Sequence, residues 1–329
     1  MNYQRTVYSR KMLNLAMVGV VALASGWARA ETDNIYVSDL YGNSISEYSL
    51  SGKPLDKPLI SGSALGDPFG MAIMGNDLFV SNMATDSISE YNATTGAPIG
   101  AAPFISGDGM NEPADLLLSG DILYVANIGG NSTPNNGSVE EFNALTGAMV
   151  GTKPLITGLD YSEYMAISGN NLYVSSWNDV YEYNATTGAL IDKKPIAVGD
   201  NIRGLAVAGN DLYVVDSYLG TVTEYNATTG REIGGKPLIR GLVDPREIVY
   251  FNGDLYVSDV GTNSITEYNA KTGAQVGCTP LITCADDPYN FIITDPSSPS
   301  PVPEPSTWAL LAAGGLALYA RLRMQAARA

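Results

Sequence analysis

Glu163, Arg203 and Arg246 are the charged side chains whose places in the chain could bring one base and two cations together. A carboxylate so placed could take a proton from a substrate while two guanidiniums clamp a substrate carboxylate by paired hydrogen bonds. Phe69, Trp177, Tyr218 and Tyr289, with Tyr161, stand at related places. Their faces would suit sugar rings, which present C–H patches and hydroxyls together. Against turnover, the chain has no histidine, the commonest general base and transition-metal ligand. Glu163 without a positioned second acid or a metal supports binding more than catalysis. No catalytic residue, metal or cofactor is therefore assigned.

The elements that would position these groups come from internal repeats. An aromatic-Val pair recurs as Tyr36-Val37, Phe79-Val80, Tyr124-Val125, Tyr173-Val174, Tyr213-Val214 and Tyr256-Val257. A Glu-aromatic pair follows each, from Glu47-Tyr48 to Glu267-Tyr268, at spacings of 43, 51, 41, 42 and 43 residues. That is the length of one four-stranded propeller blade. In the fifth copy, Arg203 to Ala208 reads as strand A, Leu212 to Asp216 as B, Thr221 to Asn226 as C and the stretch near Pro237 to Arg240 as the outer strand D. Gly-Asn-Asp and Asn-Ala-Thr-Thr-Gly strings supply the hairpin turns between them. Asn92, Asn184 and Asn226 open sequons, but each belongs to that repeated turn and reads as structure. Prolines are expected on the outer edge, which cannot use every N–H.

The first strand of the body, Asn34 to Asp39, is of type B, and the last, Tyr289 to Thr294, is of type A. One blade is thus built from both ends of the chain, and the fold class is all-β: a six-bladed β-propeller with terminal-strand closure. With strands A descending and strands B ascending, the D–A and B–C loops share one face. That face would carry the charged and aromatic residues above, with Asp39, Asn82, Asn127, Asp216 and Asp259 at the strand B ends. The blade-three loop, Ile128 to Ser138, is the one sizeable insertion there, and loops that depart from a repeat often bind.

Four regions follow: 1–30, 31–295, 296–302 and 303–329. Arg5, Arg10 and Lys11 precede a mostly apolar stretch from Met12 to Trp27 and a small-x-small site, Ala28-Arg29-Ala30. This reads as a signal peptide cleaved after Ala30. The propeller body follows, then a stiff Pro/Ser linker. Last come Pro303-Glu304-Pro305, an apolar run from Trp308 to Tyr319, and Arg321, Arg323 and Arg328, an expected short transmembrane helix with a basic stop. The whole chain carries a net charge of −16; the seven bases outside 31–295 leave that body at about −22. Such a field excludes nucleic acid as a partner. Only two cysteines exist, Cys278 and Cys284. An oxidising compartment favours a disulfide between them. An extended Pro280–Thr283 between them opposes it, since their Cα atoms would lie roughly 20 Å apart where under about 7 Å is needed. Both alternatives stand open.

The tail, VPEPSTWALLAAGGLALYARLR, resembles the PEP-CTERM sorting signal. That resemblance implies an exosortase-type membrane protease as partner, and export to the cell surface or extracellular matrix after at least transient membrane anchoring. The Pro68-Phe69-Gly70-Met71 start and the Leu-Tyr-Val cores resemble the NHL and gluconolactonase-type six-bladed propellers over the whole body. In the gluconolactonase-like enzymes the residue after that proline position supplies oxygen ligands to a divalent metal at the channel mouth. Here the position reads Phe69, Ala114, Glu163, Arg203, Arg246 and Tyr289, which does not make a hard-cation site. The expected function is a non-catalytic binding or scaffold module for exopolysaccharide or matrix proteins. The alternative is a hydrolase or lyase acting on a sugar-derived substrate at the mouth, with Glu163 as base.

Overall fold

The aromatic-Val and Glu-aromatic pairs are register partners on neighbouring strands: Tyr36 faces Glu47, Tyr173 faces Glu182 and Tyr256 faces Glu267. Each tyrosine hydroxyl donates to its partner carboxylate at 3.3, 3.4 and 3.0 Å respectively. Tyr36 and Tyr173 share that single proton with the next blade, their hydroxyls lying 3.2 Å from the carbonyls of Ala93 and Ala227, and Tyr124 donates to the Ala185 carbonyl at 3.2 Å. The repeated pair is therefore a clasp within a blade and, at these three tyrosines, also a bond between blades.

The computed structural model describes residues 33–294 except 64, 101–102, 108, 131–134 and 284–286. These residues form six antiparallel four-stranded sheets. From the innermost strand outward, blade one is Pro288–Ile293, Asn34–Asp39, Ser44–Ser49 and Pro54–Ser61. Blade two is Pro68–Met74, Asp77–Asn82, Ser87–Asn92 and Ile105–Ser106; blade three is Pro113–Ser119, Ile122–Asn127, Gly137–Asn143 and Ile156–Leu159. Blade four is Met165–Ser168, Asn171–Ser176, Asp179–Asn184 and Ala197–Val198. Blade five is Ile202–Ala208, Asp211–Asp216, Thr221–Asn226 and Ile239–Arg240; blade six is Pro245–Phe251, Asp254–Asp259, Ser264–Asn269 and Ile282–Thr283. Each innermost strand touches the two beside it all the way around the ring.

Blade one confirms the closure expected from the sequence. Pro288–Ile293 pairs antiparallel with Asn34–Asp39, and the Asn34 amide donates to Thr294 Oγ1 at 2.9 Å. Phe291 anchors the closing strand, packed with Ile35, Val37, Tyr48 and Tyr256. The strands bury apolar groups on both faces, as a sheet between two sheets must. In blade five Leu212 and Val214 join the cluster toward blade four, while Tyr213 and Val215 join that toward blade six.

One expectation needs correction. Prolines also open the innermost strands, where Pro68, Pro113, Pro245 and Pro288 are buried. The first residue of a strand need not donate, so the missing N–H costs nothing there. The Asn-Ala-Thr turns are as expected: Asn92 Oδ1 accepts from the Thr94 amide, the Thr95 amide and the Thr95 hydroxyl. Residues 1–32 and 295–329, which contain the expected signal cleavage at Ala30, the linker and Pro303-Glu304-Pro305, lie outside the described residues. Among the described residues no helix is long and apolar enough to cross a membrane.

Because Phe291 is 1% exposed at the seam that closes the ring, Phe291→Ala is expected to lower unfolding free energy by about 3–5 kcal/mol. Leu190→Ala on the outer edge should change it by less than about 0.5 kcal/mol. Denaturant titration followed by circular dichroism checks both.

Candidate functional site

The start of each complete innermost strand leaves the regular ladder. Register shifts separate Pro68 from Met71, Pro113 from Leu116 and Pro245 from Ile248, so the two residues after the proline lack ladder partners. Serines of the second strand fill the gap. Ser81 Oγ accepts from the Gly70 amide at 2.8 Å and donates to the Ala114 carbonyl of the next blade at 2.6 Å. Ser175 and Ser258 accept from the amides of Tyr164 and Glu247. Two glycines let the innermost strands close in: a Cβ on Gly70 would stand 2.4 Å from the Ala114 carbonyl oxygen, and one on Gly204 would stand 2.5 Å from that of Arg246.

This irregular start makes two layers. The first residue after the proline position faces the loops. Glu163 and Arg203 form an ion pair, and Arg246 bonds Asp244 at 2.9 Å. The Arg246 guanidinium lies 4.9 Å from the Tyr289 ring centroid, within cation–π range. Phe69 is buried against Tyr164 and Tyr289, at centroid distances of 5.5 and 6.0 Å. These groups form a packed plug with Glu163 held by a cation. Trp177 and Tyr218 stand apart on exposed loops.

The second residue after the proline position forms a layer that the sequence reading missed. It comprises Gly70, Asp115, Tyr164, Gly204, Glu247 and Asn290. Asp115 is 7% exposed, Glu247 7%, Asn290 2% and Tyr164 not at all. Asn290 Nδ2 donates to Glu247 Oε2 at 2.5 Å, and the Asn290 amide also reaches the Asp115 carboxyl. The Asp115 carboxylate accepts from the Leu116 and Met165 amides, both at 2.9 Å. Burial nevertheless pushes the Asp115 carboxyl up to about 7. Burial, then the charge on Asp115, raises Glu247 well above the usual carboxylate range. Like charges this close cannot both be ionised cheaply, so the pair holds a proton near neutral pH. A shift of one residue in register could have found this layer, since acids at Asp115 and Glu247 break an otherwise apolar strand.

Behind this layer runs a cavity of about 270 Å³, lined by Asp115, Glu247 and Asn290 at one end. Its walls are apolar residues of the innermost strands, among them Leu116, Met165, Leu205, Ile248 and Phe291. None of the plug residues Phe69, Glu163, Arg203, Arg246 or Tyr289 lines it. Among the described residues no group of three His, Cys, Asp or Glu could hold a metal ion.

The loop face is the other candidate surface. The polar residues at the strand B ends are spent on latching the loops. Asn82, Asn127, Asp216 and Asp259 accept from the amides of Gly66, Asn111, Asp200 and Val243 at 2.8–3.1 Å. Asp39 accepts from the Gly42 amide within its own loop. Aromatics rise above them: Tyr41 is 68% exposed, Trp177 46% and Tyr218 79%. Tyr41 packs edge-on against Tyr289, with centroids 5.7 Å apart, and Trp177 against Tyr161 at 5.0 Å. Tyr41 was not among the expected residues, although it follows Asp39 by the same two positions that separate Tyr218 from Asp216. Trp177 opens a two-residue hairpin loop at φ 53°. That position ordinarily selects glycine, so a bulky indole there stores strain of about 1–3 kcal/mol. Cys278 is exposed, and Cys284 and loop residues 131–134 lie outside the described residues.

Residues 301–323 match the family described as the PEP-CTERM protein-sorting motif. Residues 135–233 match that described as outer membrane protein assembly factor BamB. No curated protein matches the chain. A solved structure titled "Crystal structure of Nidogen/Laminin Complex" superposes with a TM-score of 0.62 at 16% identity, covering 79% of this chain and 98% of that one. A second, of the computationally designed Ika8 protein, gives 0.48 at 14% identity, over 73% of this chain and 70% of that one. The nidogen/laminin likeness shows the fold alone. The sorting motif implies export and handling by an exosortase at the membrane.

The buried carboxyl pair has a measurable consequence. Asp115 titrates higher in the folded chain than its ordinary 3.8, so the native state binds more protons and stability falls as pH rises between about 4 and 7. Arg246, Tyr164 and Tyr289 share this electrostatic environment with Asp115 and Glu247. Asp115→Asn removes the titrating group: relative to wild type it should gain about 2–4 kcal/mol between pH 4 and pH 8. Unfolding free energies measured across that range check it.

Proposed function

We propose that this protein is a non-catalytic surface or matrix module that binds exopolysaccharide through its loop face. The observation that carries the reading is the set of exposed aromatics, Tyr41, Trp177 and Tyr218, on one face of a rigid ring. Aromatic side chains offer large contact area at small entropic cost, and exposed apolar groups clustered on one side mark interaction surfaces. The strain at Trp177 supports it, because a conformation ill suited to tryptophan is kept where the ring meets solvent. The sorting motif supports the place of action, the outer cell surface or the matrix of a biofilm, reached through a C-terminal membrane segment. Arg203 and Arg246 lie in the plug beneath the face, each already paired with an acid.

The alternative, a hydrolase or lyase at the mouth, asks Glu163 to serve as a free base. Its ion pair with Arg203 and the packed rings beside it oppose that role. A matrix protein would use the same face as a glycan, and the test separates them.

A glycan array probed with residues 31–295, including the host's own exopolysaccharide, is expected to show selective binding. Tyr218→Ala and Trp177→Gly should each weaken it at least about tenfold, the range expected of a lost stacking contact. Trp177→Gly should meanwhile leave the melting temperature unchanged or raise it, since glycine relieves the strained turn. A folded ring that binds no glycan would overturn this reading and leave protein partners.

A further inference from the structure

The channel end lined by Asp115, Glu247 and Asn290 is built differently from the loop face. It gathers acceptor groups: the Asp115 and Glu247 carboxyls, which share one proton and also accept from the amides of Leu116, Met165 and Ile248, and Asn290 Oδ1. Asn290 is 2% exposed, and its Oδ1 has no hydrogen-bond partner among the described residues. Its amide nitrogen is already turned to Glu247. An orphaned buried acceptor costs about 1–3 kcal/mol unless a donor meets it. These groups, from three blades, stand in a channel lined otherwise mainly by apolar side chains. Beyond them the wall is lined by Leu116, Met165, Leu205, Ile248 and Phe291, and farther along by Leu118, Ile167, Val207 and Tyr250.

We infer that this channel binds the ammonium end of an aliphatic primary amine, with Asp115, Glu247 and Asn290 Oδ1 accepting its three N–H donors and the apolar wall sheathing its chain. Each part of the ligand answers one observation. A primary ammonium has three donors, no acceptor and one positive charge, which matches an end of two carboxyl groups and a carboxamide oxygen whose pair retains one negative charge. A carbon chain matches walls whose side chains, Tyr250 apart, are apolar. The cavity of about 270 Å³ holds roughly nine water volumes at ~30 Å³ each, which is room for a chain of about six carbons. The net charge of the chain, −16, raises the local concentration of cations at the channel end. Phe69 and Tyr289 of the plug, with Tyr164 packed beneath Phe69, lie between this site and the glycan surface, so the two readings stand or fall separately.

Isothermal titration calorimetry of the purified full chain with n-hexylamine at neutral pH tests the inference, with 1-hexanol, hexanoate and calcium chloride as comparisons. Hexylammonium is expected to bind one-to-one, at least tenfold tighter than hexanol, with no heat from hexanoate. Glu247→Gln should weaken it tenfold or more. Val207→Phe, which narrows the channel without touching an acid, should do the same and keeps the test decisive if the Glu247 variant fails to fold. Equal binding of hexanol would overturn the inference in favour of a merely apolar cavity. Calcium heat lost in Glu247→Gln, with none from hexylammonium, would overturn it in favour of a metal site. No binding of any probe would overturn it outright.

Discussion

Six strands must begin around one axis, and the backbone contact they make there governs the rest of the molecule. The ring closes only because the chain's last described strand lies beside its first, so blade one spans both ends of the body. Closure forces the six strand starts together, and regular sheet geometry cannot be kept at such a crowded place. The ladder breaks after Pro68, Pro113 and Pro245, glycines 70 and 204 admit their neighbours, and serine hydroxyls replace the lost backbone bonds. Blade-to-blade bonds from Ser81 and from the strand-B tyrosines Tyr36, Tyr124 and Tyr173 then join blades one to five in sequence.

Two chemically distinct surfaces result from that one irregularity. Side chains one step after the proline pack upward into a plug of rings and ion pairs; those one step later turn into the axis. The plug makes the loop face a shallow platform on which Tyr41, Trp177 and Tyr218 stand exposed. The axial layer buries acids where burial opposes ionisation, and backbone amides at Asp115 offset only part of that cost. Burying a proton-sharing pair is a poor way to gain stability, which suits a place kept for a ligand.

The repeat was legible because it is written in pairs: aromatic-Val and Glu-aromatic strings report strands B and C, and the turn strings between them report hairpins. Closure was legible too, since Asn34–Asp39 has the pattern of a second strand and Pro288–Ile293 that of a first. The axial layer was not, because side chains of a regular strand alternate and the broken ladder shifts which residue turns inward. Reading the position after the proline picked out Glu163, Arg203, Arg246, Phe69 and Tyr289, which the folded chain packs into the plug, and it passed over Asp115, Glu247 and Asn290 by one residue. Tyr41 escaped for another reason: its neighbours in the loop are unlike those of Tyr218, and only the distance from the strand-B acid relates them. The polar strand-B ends looked available to a ligand, but in the folded chain they are consumed by latching loops, a role invisible without the third dimension.

The central claim is that the strand starts bring Asp115 and Glu247 together in a buried layer that shares a proton. Carbon-13 NMR of the side-chain carboxyls, followed from pH 3 to pH 9 in the folded protein, tests it most directly. Two coupled titrations should appear, assigned to these residues, with at least one midpoint near or above about 7. Independent midpoints near 4 for both would place the carboxyls in water and contradict the account.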